Sequence, residues 1–85
     1  MSHPSSPVLK EQVEKAIKEQ IEAGKPPETG QTHKRLIAEG YSQQEVLDML
    51  VYILTMEIHT ILRDKRPFDM TLYINNLHRL PELPR

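Results

Sequence analysis

The run LVYILTMEIHTIL, Leu50 to Leu62, is the most apolar stretch of the chain, yet Glu57 sits in its middle with His59 two residues on. The run belongs to a helix with clear ends. Ser42 followed three residues later by Glu45 is a capping box, which satisfies two orphan N–H groups at the helix start. Pro67 bars extension at the far end, so the helix is expected to stop near Arg63. Between these limits Val46, Leu47, Leu50, Val51, Ile53, Leu54, Ile58, Ile61 and Leu62 cover well over half of the helix circumference. An arc that wide needs apolar contact on two sides. This helix is therefore the centre of a helical fold or of a dimer.

The chain around it is short. Eighty-five residues allow a single domain, 1–85, which buries only about 60–65% of the surface its unfolded chain exposes. A partner subunit would add to so thin a core. Residues 1–5 read as a disordered N-terminus, with His3 inside it, and 81–85 as a short tail. Eleven Lys and Arg balance twelve Asp and Glu, for a formal net charge of −1, which argues against a generic polyanion binder. Cysteine is absent, which removes disulfides and thiolate metal sites. Asp48 and Glu57 interrupt the best candidate for a membrane span. The opening MSHPSSPVLK lacks the basic and then apolar pattern of a signal peptide, so a cytoplasmic protein is expected.

Three more helices are expected. The first has Ser6 as its N-cap and Pro7 at the first helical position, where a missing N–H is harmless. Leu9, Val13, Ala16, Ile17 and Ile21 form its stripe, and Gly24 ends it. Pro26 and Pro27 stiffen the link that follows. The second, about Glu28 to Glu39, carries His33, Leu36 and Ile37 on its inner side and stops at Gly40, with Gly30 weakening it. The fourth is capped by Asp69, carries Met70, Tyr73, Ile74, Leu77 and Leu80, and ends at Pro81. No strand pattern exists. The fold class is all-α, a small four-helix bundle with helix 3 central.

With these elements placed, the motifs PPE, RL..EGYSQQEV and RPFD...Y...L resemble those of a small uncharacterised bacterial family of all-helical domains. The resemblance spans Val8 to Pro81. Its matching positions are Glu14, Gln20, Pro26-Pro27-Glu28, Arg35-Leu36, Gly40-Tyr41, Glu45-Val46, Glu57, Arg66-Pro67-Phe68-Asp69 and Tyr73. It implies an architecture and no particular activity. Relatives tend to show His-Glu-x-x-His where this chain has Gln44-Glu45-Val46-Leu47-Asp48, so two imidazoles that could hold a metal are replaced here.

No catalytic constellation emerges. Gln44 is a poor ligand, and Glu45 is engaged in the cap. Asp48 and His59 share a face with Tyr52 and Thr55, but eleven residues span about 16 Å of helix, too far for one ion. A carboxylate-bridged di-iron bundle needs Glu-x-x-His on facing helices, which is missing. GKPPETG lacks the spacing of a phosphate loop, and no nucleophile elbow exists. Residues 33–50 resemble a helix-turn-helix, with Gly40 in the turn. A reading helix is short, however, and presents polar residues near its N-terminus, whereas this one continues as the core.

The expected function is thus a non-enzymatic helical module acting by protein–protein contact, foremost as a homodimer and otherwise with another protein, without cofactor or metal. The alternatives are a nucleic-acid-associated regulator built on 33–50 and a degenerate relative of metal hydrolases. Val51, Ile58 and Leu62 are the expected interface. Glu57 and Gln20, each the polar member of an apolar stripe, are expected to be buried structural residues. The economical pairing has the Gln20 amide donating to the Glu57 carboxylate, because an unsatisfied buried polar group costs about 1–3 kcal/mol.

Overall fold

The computed structural model describes residues 7–84, with side chains from Leu9 onward. The expected Ser6 cap, His3 and the disordered 1–5 segment lie outside the described residues. Four helices follow in order: α1 (Pro7–Ala23), α2 (Pro27–Ala38), α3 (Gln43–Asp64) and α4 (Met70–Arg79). The described residues include no strand, and the fold is an all-α bundle.

Local chemistry sets the ends. Ser42 and Glu45 form the reciprocal cap of α3: the Glu45 N–H donates to Ser42 Oγ at 3.1 Å, and the Ser42 N–H donates to Glu45 Oε1 at 2.8 Å. Asp69 caps α4 by accepting from the Leu72 N–H at 3.0 Å. Three helices finish in a left-handed residue, at Gly24, Gly40 and Lys65. After each, the next N–H turns back to a carbonyl in the last turn: Lys25 to Gln20, Tyr41 to Leu36, and Arg66 to Ile61. These are Schellman ends. The third is unusual because Lys65, at φ 52°, carries a side chain where the left-handed region favours glycine.

Helix α3, the longest, packs against the other three, and α2 also touches all of them. The core joins Val13 and Ile17 of α1, Leu36 of α2, five residues of α3 (Val46, Leu50, Val51, Ile53 and Leu54), and Tyr73, Leu77 and Leu80 around α4. Two expected stripes are shifted. The inner side of α2 is Thr29, Thr32 and Leu36, while His33 is half-buried and Ile37 exposed. Threonine has an apolar methyl, and the Thr29 hydroxyl donates to Gln20 of α1 at 2.8 Å, so such a residue serves where α2 packs against three neighbours. Met70 is likewise exposed, and burial on α4 starts at Tyr73. No helix among the described residues is long and apolar enough to cross a membrane.

Candidate functional site

The anomaly in the apolar run resolves into an ionic clamp. Glu57 is 3% exposed. Its two oxygens accept from Arg66: Nη2 to Oε1 at 3.0 Å and Nη1 to Oε2 at 2.9 Å. The Asp69 backbone N–H adds a third bond, to Oε2 at 3.0 Å. The bidentate fork is the strong form of this pairing. Its origin is local. The left-handed turn at Lys65 reverses the chain directly after α3 and brings Arg66, nine residues beyond Glu57, back toward the carboxylate. The hydrogen bond that Arg66 donates to Glu57, opposed by desolvation and aided by the carboxylate's charge, raises the Arg66 pKa. Asp69 then serves twice, its N–H closing the clamp and its side chain capping α4.

Gln20 does not meet Glu57. Its Oε1 accepts from Thr29 Oγ1 at 2.8 Å and from the Tyr73 hydroxyl at 2.9 Å, and the Gln20 side chain is half-buried. The expected Gln20–Glu57 bond is thus replaced by two separate nodes. The reason is geometric. Helix α1 runs antiparallel to α3, so Gln20 lies level with the start of α3 near Gln43 and Gln44. Glu57 sits about twelve residues, or about 18 Å of helix, further along, where the guanidinium delivered by the chain reversal meets it with two charge-assisted bonds. Burial raises the Tyr73 pKa above its ordinary 10.0, with hydrogen bonds to Thr29 and Gln20 opposing the shift. Beside this node Glu28 Oε1 is buried without a hydrogen-bond partner, at the start of α2 where the helix dipole favours negative charge.

A third polar contact ties α2 to α4. Arg35 donates from Nη1 to the Leu80 carbonyl at 2.9 Å and from Nη2 to the Leu77 carbonyl at 3.2 Å. It thereby supplies a donor to the Leu80 carbonyl at the end of α4 and a second one to the Leu77 carbonyl, which also accepts from the Leu80 N–H at 3.2 Å. Sequence reasoning missed Arg35, Arg66 and Thr29 as partners. The available signal was the placement of Arg66 between the end of α3 and Pro67, within reach of an inward carboxylate.

The expected interface residues fall on one side of α3 but differ in exposure. Val51 is buried, Ile58 is half-buried, and Leu62 is 71% exposed. The difference follows how far the described part of α1 reaches along α3. Helix α1 runs antiparallel to α3: Lys18, Ile21 and Glu22 lie near Gln43, Gln44 and Leu47, while Leu9 and Lys10 lie near Val51, Thr55 and His59. The cover from Leu9 and Lys10 thus accounts for Val51, and Leu62 lies about three turns further along α3. Beside Val51 the two helices leave a groove of about 320 Å³, lined by Leu9, Lys10, Asp48, Val51, Tyr52, Thr55 and His59. Phe68, Met70 and Leu72 add exposed apolar surface at the α3–α4 corner.

At the position of the His-Glu-x-x-His pattern, Gln44 Nε2 donates to Asp48 Oδ1 at 2.8 Å on an exposed face. No group of three metal-ligating His, Cys, Asp or Glu residues comes together among the described residues. No family model matches the chain, and neither curated proteins nor solved structures gave a match.

Proposed function

We propose that the chain is a non-enzymatic helical module that acts by protein–protein contact, as a homodimer associating through the outward side of α3. The observation that carries this reading is Leu62, 71% exposed on the same side as half-buried Ile58. Burying such a leucine contributes about 1.5–3 kcal/mol, and a two-fold interface counts it twice. The polar nodes support the same reading. Glu57, Arg66 and Asp69 hold the α3–α4 corner by three hydrogen bonds, and a surface fixed before contact loses less conformational freedom on binding. Kinship with the small bacterial helical family belongs to this proposal. Its support is that Gln20, Arg35, Glu57, Arg66, Asp69 and Tyr73, six positions of the resemblance, are the residues of these polar contacts. The shared pattern is then architectural. Light scattering tests the proposal: the wild type should be dimeric and Leu62→Asp monomeric with its helicity intact. A wild type that stays monomeric at high concentration overturns it.

A further inference from the structure

Resting on that homodimer reading, we infer that the partner is a second α3 laid antiparallel to the first, each Leu62 seated in the other copy's groove beside Val51. The face is self-complementary. Leu62 projects as a knob, 71% exposed. Three turns back along the same helix lies the groove of about 320 Å³ floored by Val51 and Thr55 and walled by Leu9. An apolar cavity of about 150 Å³ already accepts a benzene-sized group, so the groove has room for one leucine side chain. In an isologous contact each residue pair occurs twice, with roles exchanged. A knob and its hole at separate places on one helix satisfy that condition only when the two helices run in opposite directions. A parallel pair would set knob against knob.

Charge fixes the same direction. With Leu62 opposite Val51, the dyad falls between Met56 and Glu57 along the helix axis. Ile58 then faces Thr55, and Asp48 faces Lys65. Asp48 is exposed near the start of α3 and Lys65 exposed at its end, so the antiparallel pair joins unlike charges at both ends. Parallel helices would place Asp48 against Asp48 and Lys65 against Lys65.

The chain has no cysteine, so introduced thiols report without background. Asp48→Cys and Lys65→Cys chains are prepared separately, then mixed and allowed to exchange before treatment with a short thiol-to-thiol cross-linker. These positions lie about 25 Å apart along one helix, beyond the reach of such a reagent within one chain or between like positions of an antiparallel pair. Covalent dimer is expected in the mixture and not in either variant alone. As a second measurement, Asp48→Lys should weaken dimerisation by about fivefold at low salt, as expected for two exposed pairs. Adding Lys65→Asp in the same chain should restore it. Cross-linking within each variant alone overturns the antiparallel arrangement, as does a dimer seen by light scattering that cross-links in no combination. A wild type that is monomeric by light scattering overturns the homodimer reading itself, and this inference with it.

Discussion

Two polar nodes inside the bundle solve the same problem in opposite ways. The Glu57 clamp is charged and local: its partners, Arg66 and Asp69, lie nine and twelve residues away, around one corner. The Gln20 node is neutral and long-range, joining α1 to Thr29 at the start of α2 and to Tyr73 in α4 across 53 residues. A charge withdrawn from water needs a matched counter-charge with good geometry, and a tight turn supplies one reliably. A neutral amide oxygen accepts two hydroxyls without that demand, so its partners can come from whichever helices the packing brings near. The clamp shapes one corner of the molecule. The Gln20 node links three of its four helices.

The largest expected effect tests the charged node. Replacing Glu57 with Ala removes three acceptor contacts, strands the Asp69 N–H and leaves a small cavity. Together these should destabilise the fold by roughly 2–3 kcal/mol in urea unfolding. Glu57→Gln keeps the shape and an acceptor for Asp69, and should lose less than half as much. If the two variants are equally destabilised, charge pairing rather than hydrogen bonding accounts for the node. If neither is affected, the clamp contributes nothing to stability.

A smaller effect is expected at the neutral node. Tyr73→Phe retains the buried ring and its edge-on contact with Phe68, 5.3 Å between centroids. It deletes one donor to Gln20, whose oxygen still accepts from Thr29. No acceptor is stranded, so the loss should be about 0.5–1.5 kcal/mol, measured by the same unfolding curve. A loss as large as that of Glu57→Ala would show the two nodes to be alike in strength.

The contrast also explains what could be read from residue order. Helix ends were visible because each has a short-range cause: the Ser42–Glu45 box, Asp69 before α4, and Gly24 and Gly40 in the left-handed region. That Glu57 points inward followed from its apolar neighbours three and four residues away, and the structure leaves it 3% exposed. Its partner did not follow, because Arg66 reaches it only through the left-handed turn at Lys65, where no glycine announces the reversal. The shifted stripe of α2 had a different cause. Thr29 and Thr32 count as polar in any hydropathy pattern, yet both are buried, one of them because Gln20 accepts its hydroxyl. The burial of Val51 depended on how far α1 runs along α3, and a periodicity within one helix carries no information about the length of its neighbour's cover.

The smallest expected effect separates the nodes by pH. Burial raises the pKa of Tyr73 above 10.0, because ionisation would place a negative charge in the interior and remove the donor to Gln20. The folded state therefore holds the phenol proton more tightly than the unfolded chain does. The sign follows from linkage: this stabilisation is fully present below the unfolded value and is lost as pH rises through it toward the raised folded value. Melting temperature should thus fall more steeply with pH above about 10 in the wild type than in Tyr73→Phe. Glu57→Ala should keep the steeper alkaline slope despite its lower stability, since the clamp has no part in the phenol's burial. The two stability curves, wild type and Tyr73→Phe, should converge as pH rises, because the advantage of the hydroxyl disappears with its proton. Parallel curves would mean that the hydroxyl is solvated when it ionises, and that the Gln20 node is open to water rather than part of the core.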